Sequence, residues 1–99
     1  MSSYFIGKLS EINHRIAIHE GNANQRLASE AGKLILLYPS EVPEVYRNDF
    51  IELKEILNET IQGLPAPGLI PTRIKGIQNR TAAKYIKLLI DIEEYTTNE

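Results

Sequence analysis

Ile16-Ala17-Ile18-His19-Glu20-Gly21-Asn22-Ala23-Asn24-Gln25-Arg26-Leu27 decides how many helices this chain makes. The stretch lies inside an apolar stripe, Phe5, Leu9, Ile12, Ile16, His19, Ala23, Leu27, Ala31 and Leu34, whose steps of 3 and 4 mark one helix face. Unbroken, a helix over 4–37 would be about 50 Å long, whereas the later segments support only about 30–37 Å. The surplus must find another partner or the helix must break. Gly21 is the natural break, because it can take a left-handed conformation after a helix end. Asn22 then caps a new helix with Gln25 at the third position, a variant capping box. The smooth phase of the stripe argues for continuity. The reading favours a break between His19 and Asn24, with helices over about 4–19 and 23–37.

Beyond this stretch, five prolines and six glycines punctuate the chain. Between them apolar residues recur at 3 and 4, with almost no strand-like alternation, so the fold class is all-α. Pro43 and Glu44 suit a first helical turn. Val42, Tyr46, Phe50, Leu53, Leu57 and Ile61 supply the buried face of a helix over about 43–62 that Gly63 stops. Leu64, Leu69 and Ile70 make the proline-rich connection too apolar for a free linker, and they are expected to lie against the bundle. The last helix is expected over about 72–95, with Ile74, Ile77, Thr81, Tyr85, Leu88, Ile92 and Tyr95 as its seam; the alternative is a kink around 76–79, with Asn79 capping a second start at Arg80. The expected architecture is a compact bundle of three to four helices in one domain, 1–99, with a frayed tail at 96–99.

The stretch Arg26-Leu27-Ala28-Ser29-Glu30-Ala31, then Leu36-Leu37-Tyr38-Pro39-Ser40-Glu41-Val42-Pro43, then Arg47-Asn48-Asp49-Phe50, resembles small all-helical bacterial proteins of unknown function. In their pattern, Arg-Leu-x-x-x-Ala leads through a Pro-x-x-x-Pro turn into an acidic helix carrying Arg-x-Asp-Phe. A final helix follows, like the one from Thr81-Ala82-Ala83-Lys84 onward. The resemblance covers about the last three-quarters of the chain, and the spacing at 68–76 departs from it. It implies the helix break and carries no activity.

Composition narrows function by exclusion. The 99 residues are 42% hydrophobic and 24% charged with a net charge of −2, ordinary values for one globular domain. No cysteine is present, so disulfides, thiolate metal sites and thiol catalysis are excluded, and a reducing, cytoplasmic setting is expected. No apolar run approaches the roughly 20 residues of a membrane span. The start, Met1-Ser2-Ser3-Tyr4, carries no signal-peptide pattern.

Motifs for chemistry are absent. His14 and His19 are five apart, so on a helix their rings diverge by about 140° and no metal site is expected. Ser2, Ser3, Ser10, Ser29 and Ser40 have no nucleophile-elbow setting. Glu52, Glu55 and Glu59 fall opposite the Phe50–Leu57 face and read as a solvated stripe rather than an acid/base pair. Gly63, Gly68 and Gly76 make no phosphate loop. The expectation is a protein that is not an enzyme and needs no cofactor.

Charge segregation is the most informative feature. Residues 41–59 hold six acids against Arg47 and Lys54, whereas residues 62–90 hold no acid and carry Arg73, Lys75, Arg80, Lys84 and Lys87. Arg73, Arg80, Lys84 and Lys87 share one helical face. The first reading pairs this ridge with the acidic helix, within a bundle or across a dimer. The second makes Arg73, Asn79, Arg80, Lys84, Tyr85 and Lys87 a site for an anionic small ligand such as a nucleotide or cyclic nucleotide, or for a nucleic-acid backbone. The acidic pI of about 5.7 weighs against DNA binding.

A second apolar set, Ile18, Ile35, Leu36, Ile51, Ile56, Leu89 and Ile90, lies offset from the main stripes, and two stripes on one helix mean two partners. The expected function is therefore non-enzymatic: self-association, as a homodimer first, and contact with protein partners. Tyr38, Tyr46, Ile51, Leu89 and Ile90 are the candidate interface residues.

Overall fold

In the computed structural model, residues 3–98 are described and contain no strand. The helices are α1 (Ser3–Ile18), α2 (Ala23–Ser29), α3 (Ala31–Leu34), α4 (Glu44–Gln62) and α5 (Asn79–Thr97). A short 3-10 turn, Pro39–Glu41, precedes α4. The described chain spans 40 × 24 × 20 Å.

The break in the first stripe is real, and its cap is the one the sequence signals. Asn22 accepts from the Gln25 N–H (2.9 Å) and the Gln25 side chain accepts from the Asn22 N–H (2.9 Å). Gly21 serves a different purpose from the expected left-handed turn. Positive φ occurs at Gly68 and Gly76 and not at Gly21. A Cβ at Gly21 would instead stand 2.7 Å from Gln25 Oε1 and 2.8 Å from His19 Cε1, inside the cap itself. His19 Nδ1 also accepts from the Gly21 N–H at 2.8 Å, closing the corner.

The second expected helix is shorter than 23–37. It breaks again at Glu30 (φ −106, ψ 6), whose N–H donates to Leu27 O in a tighter turn, and α3 ends at Leu34. Glu30 leaves the helix direction because its carboxylate turns inward to Arg15 Nε of α1, 2.8 Å away. The last helix starts at Asn79 rather than near 72. Residues 72–78 are irregular, Gly76 takes φ +84, and the backbone of Ile74 bonds to a side chain instead of a helical turn.

One core joins every segment. Phe5, Leu9, Ile12, Ile16, Leu27, Leu34, Phe50, Leu53 and Leu57 are fully buried, as their spacing requires. The connection follows the expectation in part: Leu69 and Ile70 flank a groove beside Ile35 and Ile61 but stay largely in solvent. Leu64 is half-buried, and the chain fills the core with Pro71 and Ile74 instead. The α5 seam is shifted toward Ala82, Leu88, Leu89, Ile92 and Thr96, leaving Tyr85 half-buried and Tyr95 exposed. Thr96 is buried and α5 continues through Thr97; Glu99, like Met1 and Ser2, lies outside the described residues.

Side-chain pairs fix helix directions. Tyr46 meets Tyr95, and Glu52 meets Tyr85, so α4 and α5 run antiparallel. Asn13 Nδ2 donates to Leu89 O (3.0 Å) and Glu93 Oε1 (2.8 Å), joining α1 to the middle of α5. No helix is long and apolar enough to cross a membrane among the described residues.

Candidate functional site

The sequence-marked residues gather on the open side of the α4–α5 pair and at the start of α5. Antiparallel packing sets the acidic carboxyl-terminal half of α4 beside the basic amino-terminal half of α5. Between them runs a groove of about 310 Å³, lined by Asp49, Glu52, Thr81, Lys84, Tyr85 and Leu88. The Tyr85 hydroxyl donates to Glu52 Oε1 at 3.0 Å. Partial burial, then the Glu52 hydrogen bond and charge, then the Asp49 charge, push its pKa up to about 12. At one end of the pair, Tyr46 and Tyr95 stack edge to face, with ring centroids 5.8 Å apart.

This geometry makes a spectroscopic prediction. In an alkaline titration followed by tyrosinate absorbance, the Tyr85 component is centred near pH 12. Tyr85→Phe removes that component and Glu52→Gln moves it to lower pH. The neutral phenol is favoured in the folded state. Its contribution to stability is therefore whole below the ordinary value of 10.0 and is lost as pH rises through about 12. A late component that survives Tyr85→Phe contradicts the assignment.

The helix-to-helix ion pairs expected within one bundle do not form. Among the described residues, Lys87 pairs with Asp91 of its own helix at 2.8 Å, while Arg73, Arg80 and Lys84 make no ion pair. Asp91 raises the Lys87 ammonium above its usual pKa through that hydrogen bond. On α4, the two cations serve the preceding turn instead. Arg47 donates to the carbonyls of Pro39 (3.1 Å) and Val42 (2.9 Å), and Lys54 donates to Leu37 O (3.0 Å). Glu52, Glu55 and Glu59 are exposed, as a solvated stripe should be.

The candidate anion residues divide between two places. Lys84 and Tyr85 line the α4–α5 groove, where two carboxylates already stand. Arg73 and Asn79 line a larger polar concavity of about 520 Å³, bounded also by Asn22, Asn24, Gln25 and Gln78. Arg80 is exposed on the first turn of α5, whose cap residue Gln78 makes no side-chain capping bond.

Asn24 organises that concavity, and the sequence reading missed it. Its Oδ1 accepts from the Ile74 N–H (2.7 Å), and its Nδ2 donates to the carbonyls of Ile74 and Ile77 (both 3.1 Å). Its own N–H donates to Asn79 Oδ1 (2.9 Å). One asparagine thus holds the 74–77 loop and the start of α5 against α2. A signal was present: Asn24 stands three before Leu27 and four before Ala28, a core-facing position occupied by a polar residue. Glu30, three after Leu27 and four before Leu34, is marked the same way.

The candidate interface residues also scatter. Leu89 is fully buried and belongs to the core, so it is unavailable to a partner. Its place beside Asn13 puts it under α1, a contact that the α5 period alone does not reveal. Tyr46 is half-buried, whereas Tyr38, Ile51 and Ile90 are exposed. Tyr38 lies under the Lys54 ammonium, 6.0 Å from the ring centroid, one helical turn from Ile51.

His14 is exposed and His19 is occupied by Gly21. Among the described residues, no group of three His, Asp or Glu side chains converges as a metal site. Comparison with protein-family models, with curated proteins and with solved structures finds no match for this chain.

Proposed function

We propose that this chain is a non-enzymatic helical protein that acts through self-association, as a homodimer, and through contact with protein partners. Exposed apolar side chains carry this reading. Ile18, Leu36, Ile51 and Ile90 of the offset apolar set remain in solvent, alongside Val45, Tyr38 and Ile70, although the core is otherwise closed. Scattered exposed apolar residues are ordinary on a monomer. Here they accompany two stripes of opposite charge on neighbouring helices with no ion pair between them among the described residues. The absence of cysteine suits a reducing compartment such as the cytoplasm.

Unfolding midpoints test this reading. A protein stabilised by its own association unfolds at a higher temperature as concentration rises over about a hundredfold range. A midpoint independent of concentration opposes it.

A second reading, an anionic small-ligand binder, has one observation in its favour. The 520 Å³ concavity holds Arg73 beside the uncapped first turn of α5. A nucleotide panel including cyclic nucleotides tests it by thermal shift. A ligand at 100 times its Kd adds about 2.7 kcal/mol. A shift that disappears in Arg73→Ala supports this reading, and no shift with any member removes it.

A further inference from the structure

We infer that the α4–α5 face is the dimer interface, and that its occupant is a second copy of this chain turned about a twofold axis parallel to the two helices. The inference rests on the self-association reading and adds to it which surface pairs and in which register. Charge complementarity at the end of the face nearest the start of α5 carries it, against like charges at the other end, where Glu44 stands level with Glu93 and next to Glu94. On α4, Glu52, Glu55 and Glu59 are exposed; on α5, Arg80 and Lys84 are exposed and, among the described residues, without an ion pair. The helices bearing them lie side by side; Lys84 shares the groove with Asp49 and Glu52, yet among the described residues no ion pair joins the two helices.

Symmetry decides what a second copy does with such a face. A twofold axis perpendicular to the helices, lying in the interface plane, sets α4 on α4 and acid on acid. An axis parallel to the helices sets each α4 over the other chain's α5. It also keeps every residue at its own height along the helix, because rotation about that axis leaves the height unchanged. The contact between Glu52 and Tyr85 fixes those heights. Counting one residue up α4 for one down α5, Glu55 stands level with Ala82 and Glu59 with Gln78. In the dimer, Glu55 therefore faces the turn between Arg80 and Lys84 of the other copy, and Glu59 faces Arg80. The contact is isologous, so each pairing occurs twice.

The same face offers apolar contact along its midline. Leu88 reaches the groove floor, Tyr85 is half-buried, and the Tyr46–Tyr95 stack closes one end. In that register α4 and α5 overlap over 44–58 and 79–93, a face about 22 Å long and about 20 Å wide.

The test uses two reversed chains. Arg80→Glu with Lys84→Glu inverts the basic stripe, and Glu55→Lys with Glu59→Lys inverts the acidic one. All four positions are exposed, and circular dichroism checks that each variant keeps its helices. At low salt, each variant alone is expected to dimerise at least about tenfold more weakly than the parent. An equimolar mixture of the two is expected to form a heterodimer within about threefold of the parent affinity, because both symmetry-related contacts become attractive again. The fourfold variant, with both stripes swapped in one chain, is expected to dimerise like the parent. If the parent dimerises but the reversals leave its affinity unchanged, or mixing fails to restore it, this interface is wrong and self-association stands. If the parent is a monomer throughout, both fail.

Discussion

Asn24→Ala is expected to lower the free energy of unfolding by about 3 kcal/mol. Three side-chain hydrogen bonds end on Asn24, two to Ile74 and one to Ile77. Each contributes about 1 kcal/mol net, and leaving a buried N–H without a partner costs about 1–3 kcal/mol. The Ile74 side chain is fully buried, so its backbone has no water to turn to. The denaturant midpoint should fall with little change in slope. Hydrogen exchange gives a local reading, with the Ile74 amide losing protection first. Asn24→Asp is a sharper variant: it keeps the acceptor for Ile74 N–H but sets a carboxylate against the carbonyls of Ile74 and Ile77. It should be at least as damaging, whereas a mere gap-filling role for Asn24 would leave it nearly neutral.

Arg15→Ala is expected to destabilise by about 2–3 kcal/mol, more than Glu30→Gln. The Glu30 carboxylate is buried and its hydrogen-bonded cation is Arg15, 2.8 Å away. Removing one partner of a buried pair typically costs about 3–5 kcal/mol, because a charge remains without compensation. Arg15 is itself a third exposed, so water reaches the vacated place and the cost falls below that range. Glu30→Gln keeps an acceptor for the Arg15 guanidinium and leaves no buried charge. Urea unfolding of the two variants and the double variant measures their coupling. Equal effects of the two single substitutions would mean that burial of Glu30, not its pairing, sets the cost.

The helices were legible wherever period and cap agreed. Asn22 and Gln25 announced the start of α2, and the 3–4 spacing of Phe50, Leu53 and Leu57 announced the inner face of α4. What spacing cannot reveal is a side chain that leaves its helix to satisfy a distant backbone. The α5 boundary moved from 72 to 79 because Asn24, 50 residues earlier in the chain, captures Ile74 N–H. Helix propensity has no access to that competitor. Leu89 misled for a related reason: its place on the α5 wheel is offset from the seam of Tyr85 and Tyr95, yet α1 covers it. The charge stripes were legible as composition, but the lack of ion pairs between them among the described residues depends on which way the neighbouring helices turn. That is set by the buried residues beneath them.

Sedimentation equilibrium decides whether the chain self-associates. At micromolar concentration and low salt, the expected species has twice the 11.2 kDa chain mass and dissociates as salt screens the facing stripes. A single species of 11.2 kDa at every concentration up to about 100 μM, where Kd values near 1 μM would show clearly, would contradict it.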